Sequence, residues 1–283
     1  MRLHVGCAMW AHTPWQGRYL PHPLGPDERL RAYASWCNAV EGNTTFYATP
    51  GRQTVESWAR QTDEDFGFLV KLPRTVTHER RLAGGEEELR AFLAAIEPLG
   101  GRVSALWVQL PGSFGPDDLG ALAAFLRTLP RSYRYAVEVR HRAFFEEGRA
   151  ARLLEGVLRG VRAEWVPFDT AVLFADRPVT DAEREAWTRK PRLPRRVTAL
   201  TDRPIVRYIG RDDAERTAEG WRPWIEVFRA WLREGRTPTM FVHTPDNADA
   251  LALARRFHDE IRAGLPEVEP LPEPMPAQPL TLF

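Results

Sequence analysis

Short apolar runs alternate along the chain with segments in which apolar residues recur every three or four positions. The first pattern is typical of buried strands and the second of amphipathic helices. It predicts strands over residues 3–9, 39–43, 66–72, 104–110, 134–139, 164–168, 205–209 and 239–243. It predicts helices over residues 27–37, 54–61, 86–96, 116–129, 149–159, 221–234 and 247–262.

Strands that alternate with helices indicate parallel βαβ units, and a repeat of this length matches a (β/α)8 TIM-type barrel. We expect one barrel domain over residues 1–263, with an irregular insertion near 176–203 that forms a lid or a small surface excursion. A Pro-rich flexible tail is expected over residues 264–283. The alternative is a doubly wound open sheet, but no Gly-x-Gly-x-x-Gly and no Walker-type loop follows a strand.

Composition supports a globular chain with one large core. The 283 residues are 43% hydrophobic and carry a formal net charge of +1. The sequence contains no apolar run of membrane-spanning length and no secretory pattern at its start, so we expect a cytoplasmic protein without a membrane partner. Cys7 and Cys37 are too few and too isolated for a disulfide framework or a zinc site. The oligomeric state is open.

Residues 40–47 read Val-Glu-Gly-Asn-Thr-Thr-Phe-Tyr, an unusually polar strand end. Catalytic groups of barrels lie at the carboxyl ends of the strands, and polar residues follow nearly every predicted strand here. Each one alone has an ordinary explanation, such as a salt bridge or a satisfied buried group. Together they predict a polar site that contains Glu41, Asn43, Thr45, Tyr47, Lys71, Arg74, His78, Gln109, Glu138, Arg140, His141, Asp169 and Arg207.

The charges of this set indicate an anionic substrate, because arginine binds phosphate and carboxylate oxygens in pairs. Glu41 and Glu138 are candidates for general base and acid if the site separates their pKa values. Tyr47 and His78 are candidate hydrogen-bond donors to a developing oxyanion. The other members of the set would bind substrate. Alternatively, each glutamate simply neutralises a neighbouring arginine.

A divalent metal is a less favoured option. Glu41, Glu138, Asp169, His141 and His243 offer carboxylate and imidazole ligands, but their spacing along the strands gives a cluster little support. No metal ligand is therefore assigned, and the cofactor is unknown.

Four runs carry a resemblance to a known family: residues 40–47, Val-Lys-Leu-Pro-Arg-Thr-Val-Thr-His (70–78), Val-Gln-Leu-Pro-Gly-Ser-Phe (108–114) and Ala-Val-Glu-Val-Arg-His (136–141). In order and spacing they resemble the YecE-like family, domain of unknown function 72. The resemblance implies a TIM-type barrel with a polar pocket and no established reaction. Two positions depart from the family pattern: Gly112, where a proline is usual, and the end of strand eight at residues 243–247.

Three further patterns remain, and two of them have alternative interpretations. Trp10, Trp15 and Tyr19 form either a stacking platform or a plug of the barrel mouth, whereas the stripe at Trp221, Trp224, Phe228 and Trp231 should pack on the barrel. The basic run over 184–203 is a nucleic-acid footprint or a solvated loop. It comprises Arg184, Arg189, Lys190, Arg192, Arg195, Arg196 and Arg203.

The chain ends in Gln-Pro-Leu-Thr-Leu-Phe, which resembles the peptides by which bacterial replication and repair proteins dock on the sliding clamp. The implied partner-binding residues are Gln278, Leu280, Leu282 and Phe283. The alternative is a tail that folds back on its own barrel.

Two functions therefore follow from the sequence. The first is an enzyme, with hydrolase or lyase chemistry on a phosphate-bearing substrate such as nucleic acid or a nucleotide, recruited to the clamp through its tail. The second is a non-catalytic protein that binds nucleic acid or a small anion at the same basic mouth.

Overall fold

A computed structural model describes residues 1–146 and 148–277 of the chain. In that part, one sheet of nine parallel strands has the spatial order β6-β5-β4-β3-β2-β1-β9-β8-β7. The strands are β1 His4–Cys7, β2 Ala39–Gly42, β3 Gly67–Lys71, β4 Val103–Gln109, β5 Tyr135–Glu138, β6 Glu164–Trp165, β7 Phe168–Asp169, β8 Ile205–Ile209 and β9 Thr239–His243.

Helices follow most of the strands and confirm the predicted α/β class. They are α1 Pro26–Ala34, α2 Thr44–Tyr47, α3 Arg52–Arg60, α4 Glu86–Ile96, α5 Leu119–Thr128, α6 Arg149–Gly160, α7 Asp181–Arg189, α8 Ala214–Arg233 and α9 Ala250–Ala263. Helix α8 begins well before the predicted residue 221, because the Asp213 side chain caps it by accepting from the Arg216 N–H at 3.0 Å. Its stripe of Trp221, Trp224, Phe228 and Trp231 is buried, as predicted.

The strand predicted over 164–168 is divided into β6 and β7 by Val166 and Pro167. Proline has no N–H to donate to a neighbouring strand, so the ladder is interrupted there. β6 pairs with β5, and β7 pairs with β8. The observed sheet is thus a curled parallel sheet of nine strands, whereas the sequence predicted a closed barrel of eight.

The curled sheet encloses a small apolar interior. Trp107 of β4 and Phe241 of β9, four places apart in the strand order, have ring centroids 5.9 Å apart. Leu69, Ala105 and Ile205 belong to the same buried cluster. A separate and larger core lies between the sheet and the helices. The carboxyl ends of the strands are therefore brought around one mouth.

The segment after α9 does not begin as the flexible linker that the sequence predicted. Leu265, Val268 and Leu271 are buried in the main core, and the Met275 N–H donates to Ser35 Oγ at 3.0 Å. Apolar residues between the prolines provide this packing. The clamp-like peptide over 278–283 lies outside the described residues. Within the described ranges, no helix is both long and apolar enough to cross a membrane.

Candidate active site

Glu41, at the carboxyl end of β2, is the centre of a buried polar cluster. Its side chain is fully buried. One carboxylate oxygen lies 2.6 Å from Lys71 Nζ and 3.0 Å from Arg207 Nη2, and the other accepts from Arg207 Nε at 3.0 Å. His243 Nε2 lies 2.8 Å from that second oxygen. Three strands besides β2 therefore meet at one carboxylate.

The neighbouring charges decide the ionisation of Glu41. Burial alone would raise the pKa of this carboxyl, but the charges of Arg207 and Lys71 outweigh burial and hold the pKa well below its usual value. Burial lowers the pKa of His243 to about 4, so that imidazole is neutral near pH 7. Glu41 is consequently an anion that orients Arg207 and Lys71.

Lys71 is buried beside Glu41 and also donates to Gln109 Oε1 at 2.8 Å. Its ammonium lies 5.1 Å from the centroid of the Trp107 ring. Burial, together with the charge of Arg207, lowers the pKa of Lys71 to about 8 despite the nearby glutamates. Gln109 therefore helps to hold the Lys71 ammonium next to Glu41.

Glu138, at the end of β5, is the second fully buried carboxylate. Its Oε1 accepts from Arg140 Nε at 2.7 Å and lies 2.6 Å from Arg140 Nη2. Its Oε2 has no hydrogen-bond partner in the described part of the chain, and Arg207 Nη1 lies 3.6 Å away. Burial raises the pKa of Glu138, but Arg140 and Arg207 reverse the shift and lower it. One anionic oxygen therefore keeps its capacity to accept.

Three cations surround the buried ring of Phe168 at the mouth. Arg140 Cζ lies 4.9 Å from the ring centroid, Arg207 Cζ 5.1 Å and Lys190 Nζ 5.9 Å. Among the described residues, no carboxylate lies within 4 Å of Lys190 Nζ. Burial and the charges of Arg207 and Arg140 lower the pKa of Lys190 to about 8. Cationic side chains thus outnumber the two glutamates.

Lys190 is the site residue that the sequence placed only in a basic run, without a role at the mouth. It follows α7 in the insertion over 176–203, and its N–H donates to the Ala186 carbonyl at 2.9 Å. An irregular insertion has no periodicity that would indicate which side chain reaches the site. His243 carried a stronger signal, because it ends a predicted strand.

The insertion is fixed on the sheet and does not form a loose lid. Arg195 Nε donates to Asp169 Oδ2 at 2.7 Å, and Arg196 Nη2 donates to Glu155 Oε1 at 2.7 Å. Glu164 accepts from the backbone N–H groups of residues 200 and 201, each at 2.9 Å. The predicted surface excursion is the alternative that these contacts favour.

Asp169 is directed away from the cluster, unlike the sequence prediction. Besides Arg195, its Oδ2 accepts from Trp224 Nε1 of α8 at 2.6 Å. Neighbouring residues of a strand face opposite sides of the sheet. Because the Phe168 side chain lies at the mouth, the Asp169 side chain lies on the side of the helices. Asp169 is therefore a packing contact and not a substrate ligand in this arrangement.

The 40–47 stretch turns into helix α2 immediately after β2, which changes the direction of its side chains. Thr45 is buried, and its hydroxyl lies within hydrogen-bond distance of the Gly42 and Lys71 carbonyls at 2.8 and 2.7 Å. Asn43 Nδ2 donates to the Ala8 carbonyl at 2.9 Å. Both side chains therefore support the backbone around the cluster. Tyr47 is 76% exposed at the surface.

His78 lies on a helical turn after β3, with its ring centroid 5.0 Å from that of Phe46. Burial and the charges of Arg140 and Arg74 lower the pKa of His78 to about 4. Arg74 is exposed, with Nε 3.5 Å from a Glu79 oxygen. His141 Nδ1 accepts from the Ala143 N–H at 3.3 Å and serves as a cap. These residues form the rim, outside the buried centre.

The predicted basic run does not form one continuous patch. Arg184 and Arg189 pair with acids of their own helix, and Arg195 and Arg196 pair with Asp169 and Glu155. The aromatic loop also packs internally: Trp15 is buried and donates to the Asn247 carbonyl at 2.9 Å. These contacts favour structural roles for both patterns over nucleic-acid binding by the basic run and stacking by the aromatic loop.

No group of three or more His, Cys, Asp or Glu side chains has the arrangement of a metal site in residues 1–146 and 148–277. The metal ligands considered from the sequence are dispersed, since Asp169 and His141 face other partners. Glu41 and Glu138 are instead bound by arginine and lysine side chains.

Comparison with known proteins relates this chain to a family. A family model described as "Protein of unknown function DUF72" matches residues 4–279. The UPF0759 protein YecE of Escherichia coli strain K12 is 36% identical over 270 residues, which cover 95% of this chain and 96% of that protein. The UPF0759 protein YunF of Bacillus subtilis is 26% identical over 152 residues, 50% of this chain and 52% of that protein.

Two solved structures share the fold. A DUF72 family protein of Thermotoga maritima has a TM-score of 0.70 at 22% identity, covering 93% of this chain and 100% of its own. A DUF72 family protein of Enterococcus faecalis has a TM-score of 0.70 at 17% identity, covering 98% and 99%. The chain belongs to the DUF72 family.

Proposed function

We propose that this chain is an enzyme that acts on an anionic, phosphate-bearing substrate bound at the mouth of the sheet. The observation that carries the proposal is the convergence of Arg140, Arg207 and Lys190 around Phe168. Guanidinium and ammonium groups recognise phosphate oxygens by charge-assisted hydrogen bonds. A nucleotide or an end of a nucleic acid is the substrate class that we favour.

The roles of the two glutamates differ in this proposal. Glu138 is the general base, because its Oε2 is anionic and has no hydrogen-bond partner in the described residues. Glu41 orients Arg207 and Lys71, since both of its oxygens already contact cations. Both carboxyls have lowered pKa values, so neither suits the role of general acid near pH 7.

Lys190 is the general acid that best fits this site. Its pKa is lowered to about 8, close to the pH at which the proton transfer would occur. Proton removal by Glu138 and proton donation by Lys190 together suit hydrolysis or elimination at a phosphate-bearing substrate. His78 and Tyr47 remain proposed rim contacts to that substrate.

Non-catalytic anion binding is the second candidate function. The pairing of Glu41 with Arg207 and of Glu138 with Arg140 favours it, since such pairs also build a rigid basic pocket without chemistry. The two candidates differ in what Glu138 must do.

Turnover and binding of a panel of nucleotides and phosphorylated nucleic-acid ends would test both candidates. We expect Glu138→Gln to retain binding and to lower turnover by about 10²- to 10⁴-fold. Arg140→Gln should weaken binding by about tenfold or more. Arg142→Gln, on the exposed loop nearby, is the matched control. Binding without turnover in the unmodified protein would favour the second candidate, and equal binding by Arg140→Gln would refute both.

We also propose that the segment over 164–169 acts as one strand with a break and closes the sheet into a (β/α)8 barrel. The Val166 N–H donates to the Val137 carbonyl and the Arg207 N–H to the Pro167 carbonyl, at 2.9 and 3.0 Å. These bonds support the proposal because they lie within the break itself, one toward β5 and one toward β8.

The terminal peptide remains a proposed ligand of the bacterial sliding clamp, through Gln278, Leu280, Leu282 and Phe283. Binding of the full chain to purified clamp would be compared with that of Leu282→Ala/Phe283→Ala. Thr281→Ala serves as the control within the same peptide. We expect the double variant to lose at least tenfold in affinity, and equal affinity would exclude this docking mode.

A further inference from the structure

A second polar cavity lies at the other end of the sheet, where the strands begin. Its volume is about 250 Å³. His4 and Thr239, the first residues of β1 and β9, line it together with Ser104 of β4. Arg134 and Arg203, which precede β5 and β8, complete its wall. None of these residues belongs to the site at the mouth.

Two neutral polar groups converge in this cavity. His4 Nδ1 is buried and has no hydrogen-bond partner among the described residues. A side chain at Gly67 would come within 2.7 Å of Ser104 Oγ and 3.7 Å of His4 Nδ1, so both atoms face the space that this glycine leaves open. Burial and the charge of Arg2 lower the pKa of His4 to about 4, so the ring is neutral near pH 7. A neutral imidazole offers one N–H donor and one nitrogen acceptor.

The arginines of this cavity are not neutralised directly. Arg134 donates only to neutral oxygens, those of Ser104, Thr201 and Arg203, at 3.2 to 3.4 Å. In residues 1–146 and 148–277, no carboxylate lies within 4 Å of the guanidinium of Arg134 or Arg203. Burial and the charge of Arg203 lower the pKa of Arg134. Arg134 and Arg203 thus bring two like charges to the lining of one cavity.

Two carboxylates also line the cavity and limit its charge. Asp65 pairs with Arg2 at 3.0 Å, and Glu64 is exposed at the edge. Among the lining residues, with the Asp65 and Arg2 charges balanced, Arg134 and Arg203 exceed Glu64 by one positive charge. Asp202 and Glu164 also act on Arg134 by their charge, but neither belongs to the lining. The excess favours an anion and disfavours a cation.

We infer that this cavity is a second anion site, which binds inorganic phosphate or a small phosphomonoester between Arg134 and Arg203. The hydroxyl of Ser104 and the imidazole of His4 are its neutral hydrogen-bonding groups. The cavity volume equals roughly eight times the 30 Å³ share of a water molecule. That space suits a tetrahedral dianion with a few waters or a short organic group.

Calorimetric titration of the full chain with inorganic phosphate, and separately with glycerol phosphate, tests this site. Arg203→Gln is the principal variant, because Arg203 is exposed and its loss should leave the fold intact. Arg131→Gln removes the same charge from an exposed position outside the cavity lining, and Arg140→Gln reports on the mouth. Ser104→Ala removes a donor without changing the charge.

We expect Arg203→Gln to weaken binding of one or both probes by about tenfold or more, and Ser104→Ala by several-fold. Arg131→Gln should bind both probes as the unmodified chain does. Arg140→Gln should retain the binding that Arg203→Gln removes and should lose only binding at the mouth. The preferred probe identifies the free anion or the ester as the ligand. Binding that survives Arg203→Gln but not Arg140→Gln would assign the anion to the mouth and overturn the inference, as would millimolar probes that fail to bind at all. Loss of nucleotide binding at the mouth would leave this second site unaffected.

Discussion

Among single residues, Glu41 has the largest predicted effect on stability. Its fully buried carboxylate contacts Lys71, Arg207 and His243. Removal of one partner from a buried ion pair leaves an uncompensated charge. Glu41→Gln should lower the free energy of unfolding by about 3–5 kcal/mol in urea denaturation. Glu79→Gln, at an exposed pair with Arg74, should change it by less than about 1 kcal/mol.

The free energies of unfolding of Glu41→Gln and of the unmodified chain should become more similar at acidic pH. The pKa of Glu41 is lower in the folded protein than in the unfolded chain, so its contribution is present above the unfolded value of about 4.3. That contribution is lost as the pH falls through the folded pKa. Denaturation curves at several pH values should thus converge toward acid, and a constant difference would contradict the assignment.

Lys190 gives a prediction for the pH dependence of anion binding. An ammonium with a pKa of about 8 loses its charge as the pH rises through 8, so affinity at the mouth should decline there. Lys71 has a similar pKa, so the comparison needs Lys190→Arg. That variant should keep its affinity to higher pH, because arginine stays charged. A decline that persists in Lys190→Arg would point to Lys71.

The charged centre of the site could be predicted because Glu41, Lys71, Glu138 and Arg207 lie on regular strands. Sequence position fixes which end of a strand they occupy, and the parallel sheet brings those ends together. Thr45 and Asp169 were assigned to the same site for the same reason. Their side chains turn elsewhere because α2 starts at once after β2 and because Asp169 alternates with Phe168. The turn into α2 is not encoded in hydrophobic periodicity, whereas the alternation of Phe168 and Asp169 is a strand periodicity.

At the level of elements, the contacts that hold the insertion over 176–203 on the sheet can be tested. Arg195 joins it to Asp169 beneath α8. In Arg195→Gln, backbone amides of α7 and of residues 190–200 should exchange hydrogen several-fold faster, because local opening needs less free energy. Anion affinity at the mouth should fall with it, since Lys190 is carried by the same segment.

Arg189→Gln is the matched control for that experiment. Arg189 pairs with Glu185 on the exposed face of α7, and such pairs contribute little. If both variants exchange alike, the Arg195 contact does not hold the insertion.

Secondary structure followed the sequence closely, since β8 and β9 occupy their predicted residues. The break at Pro167 was missed because residues 164–168 read as one apolar run. Pro167 lies inside that predicted range, so the rule that proline interrupts a strand ladder was the signal that would have located the break. Helix ends differed where caps such as Asp213 lie outside the periodic pattern.

For the whole molecule, the described C-terminal segment should contribute to stability. Val268 is buried in the main core, and the Met1 ammonium donates to the neighbouring Glu267 carbonyl at 2.8 Å. Val268→Asp buries an unpaired charge and should lower the free energy of unfolding by at least about 2 kcal/mol. Glu273→Ser, at an exposed position, is the control. Equal midpoints in thermal unfolding would restore the linker interpretation.

The Trp107 and Phe241 pair separates the two ends of the sheet interior. Leu69 and Ile205, which line the cavity at the strand beginnings, lie two residues before Lys71 and Arg207 at the mouth. The two aromatic rings belong to a buried apolar cluster that also contains Leu69 and Ile205. The two polar ends of the interior are thus separated by buried apolar side chains, so each end keeps its own set of charged groups.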